Sequence, residues 1–259
     1  MKIVVLVKHV PEPTAEWRLA DDGTLDRGAV DGRLSELDEY AVEQALRLVE
    51  AGAATDVTHL TMGPARAVDA LRKALAMGGD RGVHVLDDAI HGSDAVATSL
   101  VLATAVRKAG CDLVLCGMAA TDGEMSVVPV MVADRLGVPV VTHAVALRAD
   151  GADLAVRRET DEVTEEVAVA VPAVVSVTDR SGEARYPSFR NIVMAKKKPV
   201  TTWSLADLGL PPERVGAAAS ATAVRAARPR PPREAGTVIT DEGDAAVRLA
   251  EFLIAQKLI

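Results

Sequence analysis

Short apolar runs alternate with helical patterns through the first 141 residues of the chain. This alternation, with short turns between the elements, predicts an α/β fold with a doubly wound, mostly parallel sheet and right-handed crossovers. We assume the strand order 3-2-1-4-5, which opens a crevice between the first and fourth strands, where the loops after Val7 and Cys116 face each other. The predicted strands cover residues 3–7, 57–61, 83–86, 112–116 and 138–141.

The fourth strand is joined to the next helix by a loop that carries Gly117, Asp122 and Gly123. Apolar spacing predicts this helix over residues 126–136. A strand, a glycine-bearing loop and a helix amino terminus bring unpaired backbone N–H groups to one point, where the helix dipole adds partial positive charge. One interpretation is a site for a nucleotide phosphate. The other is an ordinary βα loop, because the sequence matches neither GxxxxGK(S/T) nor GxGxxG.

The composition excludes several classes of protein. Net charge is −8, which argues against nucleic acid or an anionic membrane as the main partner. No apolar run approaches the ~20 residues of a membrane-spanning helix, so no direct membrane insertion is expected. Cys111 and Cys116 have neither CxxC nor zinc-site spacing, and we interpret both as buried thiols in a reducing cytoplasm. The histidines are scattered, so neither a catalytic triad nor a metal site is predicted.

Several stretches outside the βα rhythm carry local signals. The S-x-x-D pattern at residues 35–38 predicts a capping box on a helix that runs to about Ala51. Residues 10–30 form a long irregular excursion, and loops of this length are usually functional or disordered. Short strands between residues 144 and 177 predict a hairpin-like extension of the sheet.

Two later segments suggest contacts with a partner. Residues 180–198 are predicted as a loop, in which Phe189 is either an apolar anchor for a partner or folds back on its own domain. The nucleotide-binding domain is predicted over residues 1–200, followed by an arm over residues 201–259. This arm is rich in Ala, Arg and Pro over residues 214–236 and ends in a helix capped by Thr240 or Asp241. It either embraces another subunit or folds back.

Quoted in chain order, several motifs resemble one known family, the beta subunit of electron-transfer flavoprotein. They are KIVVLVKHVPEP, DEYAVEQALRL, MGPARAVDALRKALAMGGDRGVHV, GMAATDGE, RRETDE, PAVVSV and, most specifically, RYPSFRNIVMAKKKP. The resemblance covers nearly the whole chain. It implies a fold similar to adenine-nucleotide-binding α/β domains of the universal-stress type.

The resemblance also implies a function. The chain would pair with a larger alpha subunit, and the heterodimer would carry one FAD, held mainly by the alpha subunit, and one AMP in the beta subunit. Electrons would pass from acyl-CoA dehydrogenases and related flavoenzymes to a membrane quinone oxidoreductase, as in fatty acid beta-oxidation, so the chain would be a carrier rather than an enzyme. Two alternatives stay open: a bifurcating-type relative with a second FAD in place of AMP, and a stand-alone ATP-binding stress-type protein or hydrolase.

The resemblance assigns roles known in the family to single residues of this chain. Tyr186, Phe189 and Ile192 fall in the partner-recognition segment over residues 186–194, and Glu159 matches a carboxylate that influences electron transfer by loosening the domain arrangement. Val127 and Val128 replace polar side chains of many members, which implies fewer side-chain hydrogen bonds to a phosphate while backbone donors remain. The candidate cofactor-binding residues are Leu6, Ser35, Met62, Gly117, Ala120, Asp122, Gly123, Ser126, Val127 and Val128.

Overall fold

The computed structural model describes residues 1–151, 153–228, 230–232 and 236–259 and divides into two compact units, Met1–Arg225 and Ala226–Ile259. Its strands are β1 Lys2–Leu6, β2 His9–Pro11, β3 Gly32–Leu34, β4 Asp56–Met62, β5 Arg81–Val85, β6 Leu113–Gly117, β7 Val140–Asp150, β8 Asp153–Glu159, β9 Thr164–Ala170, β10 Ala173–Val177 and β11 Val200–Trp203. Its helices are α1 Glu36–Glu50, α2 Val68–Met77, α3 Ala95–Ala109, α4 Val128–Leu136, α5 Phe189–Ala195, α6 Leu205–Leu208, α7 Gly216–Ala219 and α8 Ala245–Ala255.

The first unit is built on a mostly parallel sheet with the order β11-β5-β4-β1-β6-β10-β7-β8-β9. Every pair from β11 to β7 is parallel, and β8 and β9 extend the far end as antiparallel strands. Alternate residues of β1 explain the winding. Ile3 and Val5 enter the apolar cluster with α1 and α2, whereas Val4 and Leu6 enter the cluster with α3 on the opposite face. The predicted α/β fold class is confirmed.

The assumed strand order is correct for four strands and wrong for the fifth. Strand β10 lies between β6 and β7 and pairs in parallel with both, so the predicted fifth strand is not a neighbour of the fourth. Only β7, β8 and β9 form the hairpin-like extension. The physical reason is burial: Val174, Val175 and Val177 are completely buried, as expected for a central parallel strand covered on both faces.

The first unit also continues beyond the predicted boundary at residue 200. Strand β11 pairs in parallel with β5 at the edge of the sheet, and Leu205 and Val215 are buried in the same cluster as β4 and β5. The compact unit therefore ends at Arg225. Within the predicted arm, residues 229 and 233–235 lie outside the described residues.

The second unit contains α8, which begins at Ala245, four or five residues after the predicted cap. Its N-cap residue is Asp244, which makes no side-chain capping bond, whereas the carboxylate of Asp241 accepts hydrogen bonds from the N–H groups of Gly243 and Ala245. Within the described ranges, no helix is both long and apolar enough to cross a membrane.

Candidate functional site

The candidate site lies where the sheet splits between two neighbouring parallel strands. The ladder between β1 and β6 ends at Val5 and Leu115, whereas β1 stays paired with β4 up to Leu6. Beyond this point the chain leaves β1 and β6 towards opposite ends of the sheet, which is the position where open α/β sheets bind ligands. We call residues 7–9, 35–38 and 117–128 the switch-point site.

A single buried carboxylate bridges the split. Asp38 in the first turn of α1 accepts a hydrogen bond from the Lys8 N–H at 2.8 Å and another from the Gly117 N–H at 3.1 Å. These N–H groups follow the last β1–β6 ladder pairs and have no strand partner across the gap. Asp38 takes the place of the missing ladder bonds and fixes the separation of the two strand ends.

The predicted capping box at residues 35–38 is wrong for the same reason. Ser35 is the N-cap residue, but its side chain makes no capping bond, and the Asp38 carboxylate is already used by the strand ends. A Cβ atom at Gly117 would lie 2.8 Å from the backbone carbon of Leu37 and 2.8 Å from Asp38 Oδ1. Only glycine allows α1 to approach β6 this closely.

Burial dominates the electrostatics of Asp38. Desolvation raises its pKa to about 7, although the Lys8 and Gly117 N–H groups and the Lys8 charge favour the ionised form. The nearby Asp122 carboxylate raises this pKa further. The carboxyl group of Asp38, between the ends of β1 and β6, therefore titrates near neutral pH.

A second carboxylate, Asp122, joins the two loops of the site. Its fully buried side chain pairs with Lys8 Nζ at 2.8 Å and with Arg27 Nε at 2.7 Å. Burial alone would raise the pKa of Asp122, but the two cations lower it. Arg27 belongs to the predicted excursion, so this ion pair ties the excursion to the loop after β6. Asp122 was predicted as a cofactor-binding residue, and the structure places it between two cations of its own chain.

The loop after β6 offers unpaired backbone donors. Within the described part of the chain, no group accepts a hydrogen bond from the N–H of Asp122, Ser126 or Val127. Ser126 has a positive φ of 56°, and α4 begins at Val128, two residues later than predicted. The free N–H groups and the amino end of the α4 dipole favour an anion here.

Buried hydroxyl groups near these loops also lack partners. Within the described ranges, Ser35 Oγ and Thr121 Oγ1 are buried without a hydrogen-bond partner. A Cβ atom at Gly123 would meet open space. Unpaired donors, unpaired hydroxyls and open space together indicate a ligand with several polar oxygen atoms.

The structure brings most of the predicted cofactor-binding residues to this edge of the sheet. Leu6 ends β1, Met62 ends the neighbouring strand β4, and Ser35 precedes α1. The remaining residues belong to the loop after β6 or to the first turn of α4: Gly117, Ala120, Gly123, Ser126, Val127 and Val128. The sequence analysis missed the bridging role of Asp38 and the contact of Arg27, and neither has a local sequence signal.

The stretch predicted as a loop, residues 180–198, contains helix α5 over Phe189–Ala195, within the segment that the resemblance assigns to partner recognition. Helix α5 is capped by Ser188, whose hydroxyl accepts a hydrogen bond from the Asn191 N–H. Phe189 is 81% exposed and Tyr186 is 88% exposed, so the alternative in which Phe189 folds back is wrong. We define the apolar helix patch as the exposed side chains of Tyr186, Phe189, Ile192, Val193 and Met194.

Glu159 lies at the end of β8 and forms an ion pair with Arg180, which precedes the segment of the apolar helix patch. The two preceding arginines are paired across β8 and β9: Arg157 with Glu166 and Arg158 with Glu165, both at 2.9 Å. Because side chains alternate along a strand, one of these pairs lies on each face of the β8–β9 hairpin.

The fold and the switch-point site define a doubly wound α/β protein whose sheet splits at the position where such sheets bind ligands. The electron transfer flavoprotein domain matches residues 22–208. The chain is 44% identical to electron transfer flavoprotein subunit beta of Mycobacterium leprae over 99% of both chains and 32% identical to that of Megasphaera elsdenii over 100% of both. It is 34% identical to subunit CarD of the caffeyl-CoA reductase-Etf complex of Acetobacterium woodii, over 93% of this chain and 92% of CarD. The chain belongs to the electron transfer flavoprotein family, in which it is a beta subunit.

Proposed function

We propose that this chain pairs with an electron-transfer flavoprotein alpha subunit and that the heterodimer carries electrons from acyl-CoA and other dehydrogenases to a membrane quinone oxidoreductase. FAD is held mainly by the alpha subunit and supplies the redox chemistry when bound. The observation that carries the proposal is the similarity to beta subunits over 99% of the chain. The free thiols of Cys111 and Cys116 support a reducing, cytoplasmic location.

The switch-point site is proposed to hold AMP. The N–H groups of Asp122, Ser126 and Val127 would donate to the phosphate, and the hydroxyl groups of Ser35 and Thr121 supply further polar contacts. Val127 and Val128 offer no side-chain hydrogen bonds, so main-chain donors and the α4 dipole carry the recognition of the phosphate. Lys8 and Arg27 are held by Asp122 and balance its charge beside the phosphate site.

A second candidate is the bifurcating-type flavoprotein, in which a second FAD occupies the same site. The observation in its favour is the 34% identity to CarD, a subunit of a caffeyl-CoA reductase-Etf complex. The main-chain donors of the site fit the pyrophosphate of FAD as well as the phosphate of AMP.

The cofactor content of the heterodimer tests both candidates. We expect the chain, co-purified with its alpha subunit, to give a yellow complex that a dehydrogenase and its acyl-CoA reduce. After denaturation, mass spectrometry should find one FAD and one AMP per heterodimer. Two FAD and no AMP would select the bifurcating type. A colourless complex, or ATP turnover by this chain alone, would contradict the carrier function.

Docking of dehydrogenases is proposed to use the apolar helix patch. Phe189 and Tyr186 expose large aromatic surfaces on one short helix and the turn before it, and such side chains dominate the energetics of small transient interfaces. Glu159, which pairs with Arg180 beside this segment, is proposed to modulate electron transfer through the domain arrangement.

The arm is proposed to pack on the alpha subunit. Helix α8 exposes Val247, Leu249, Phe252 and Ile254. We expect deletion of Ala226–Ile259 to weaken association of the heterodimer several-fold, because the apolar side chains of α8 would no longer be available to bury against the alpha subunit. Analytical ultracentrifugation over a dilution series measures this change. An unchanged dissociation constant would contradict the proposal.

A further inference from the structure

The apolar helix patch lies between two sets of polar contacts with different helices. At the carboxyl end of α5, Arg72 of α2 uses Nη1 to donate to the Ala195 carbonyl at 2.7 Å and to the Lys198 carbonyl at 2.8 Å. Lys198 Nζ donates back to the Leu75 carbonyl at 2.9 Å. Ala195 is buried with Leu75 in a small apolar cluster. The carboxyl end of α5 is therefore held against α2 by hydrogen bonds and apolar packing.

The stretch that precedes α5 is held against α1 by ion pairs and a hydrogen bond. Arg185 pairs with Glu43 at 2.7 Å and with Glu50 at 2.6 Å, and Gln44 Nε2 donates to the Ser181 carbonyl at 2.7 Å. Burial alone would raise the pKa of Glu43, but its hydrogen bonds to Arg185 and Arg47 lower it. Glu43 is thus ionised and buried, and Arg185 and Arg47 together compensate its charge.

Between these contacts, α5 lies against α2 but buries few of its own side chains. Among the residues of α5, only Ala195 is buried. An isolated helix of this length is unstable in water, because too few hydrogen bonds follow the costly first turn. The orientation in which Phe189 faces solvent therefore depends on the contacts at the two ends.

We propose that Arg72 is a positioning residue for donor docking: it holds the carboxyl end of α5 so that Phe189 is presented to the dehydrogenase. The inference rests on the proposed docking function of the apolar helix patch. A preorganised docking element binds more tightly, since less conformational freedom is lost on association. Loss of Arg72 weakens the encounter and leaves the flavin chemistry unchanged.

Arg72 separates this role from folding better than Arg185 does. Replacing Arg185 would remove one of the two ion-pair partners of the buried Glu43 carboxylate and leave only Arg47, which destabilises the fold itself. Arg72 forms no ion pair within the described part of the chain and contacts only backbone carbonyls of the segment. A matched control is Arg107→Leu, because Arg107 likewise donates to a backbone carbonyl, that of Arg135 at 2.8 Å, away from α5.

The test uses the intact heterodimer as the electron acceptor of an acyl-CoA dehydrogenase. We expect Arg72→Leu to raise the KM for the heterodimer roughly fivefold while kcat changes less than about twofold, as for lost binding in an encounter. Arg107→Leu should change KM less than about twofold. In a Phe189→Ala background, Arg72→Leu should add less than about a twofold increase, because coupled residues are not additive. Arg72→Lys, which keeps one donor group, should give an intermediate KM.

Each other outcome has a distinct meaning. An unchanged KM in Arg72→Leu, together with a raised KM in Phe189→Ala, overturns the inference and leaves the docking proposal intact. An equal factor for Arg72→Leu with and without Phe189 also overturns it, since Arg72 would then act independently of the docking side chain. If Arg72→Leu does not fold, Arg72→Lys decides, because a KM equal to that of the original protein overturns the inference. An unchanged KM in Phe189→Ala contradicts the docking function itself.

Discussion

Phe189→Ala should lower kcat/KM for reduction of the heterodimer by an acyl-CoA dehydrogenase about 30-fold. A buried aromatic anchor at an interface contributes about 2 kcal/mol or more, which corresponds to this factor. The side chain is 81% exposed in the free chain, so its removal costs no core packing. Stopped-flow reduction of the flavin at low heterodimer concentration measures the effect.

Two controls accompany this experiment. Val163→Ala removes another exposed apolar side chain, in the turn between β8 and β9, and should leave kcat/KM unchanged. The thermal midpoint of the Phe189→Ala heterodimer should match that of the original protein, because no buried contact is lost. Equal reduction rates for both proteins would show that Phe189 takes no part in docking.

Asp38→Asn should change the pH dependence of stability by roughly 2 kcal/mol between pH 5 and pH 8. Folding raises the Asp38 pKa from 3.8 to about 7. Between these values the native state binds a proton that the unfolded state has released, so the free energy of unfolding falls as pH rises towards 7. The Asp38→Asn variant lacks this contribution, and its stability relative to the original protein therefore rises with pH.

Denaturant unfolding of the isolated chain at a series of pH values measures this difference. His59 acts in the opposite direction, because burial lowers its pKa from 6.5 to about 4 and stability is lost as pH falls through this range. This contribution is common to both proteins and cancels. Asp94→Asn is the matched control: the Asp94 pKa is lowered from 3.8, so above pH 5 its carboxylate is ionised in both states and the difference is flat. A flat difference for Asp38→Asn would show that Asp38 titrates below pH 5.

Local pattern predicted the elements of the fold better than their pairing. The strands β1, β4, β5 and β6 and the helices between them follow from apolar runs and glycine or proline boundaries, which are set by nearby residues. The sequence of strand β10 resembles those of the short strands before it. Five residues do not specify between which two strands they insert, so the position of β10 in the sheet could not be predicted. Helix α5 has no apolar stripe facing a core, so periodicity could not predict it.

Only the part of the candidate site that follows from the order of elements along the chain could be predicted. The loop after β6 was identified from its glycines and the following helix, and its free N–H groups lie there. The role of Asp38 was not predictable, because S-x-x-D is also a capping signal. Only the separation of β1 and β6 in the structure shows that the carboxylate accepts hydrogen bonds from the ends of these strands. Arg27 reaches Asp122 across 95 positions of sequence, a distance that no local motif spans.

Main-chain donors also limit what the loop after β6 can discriminate. The backbone supplies each N–H group at Asp122, Ser126 and Val127 whatever the side chain, so any substitution except proline leaves the donors in place. Such a loop detects negative charge and shape, and a monophosphate or a pyrophosphate satisfies it equally. Selection between mononucleotide and dinucleotide must therefore come from residues around the loop, where Arg27 holds the excursion against Asp122.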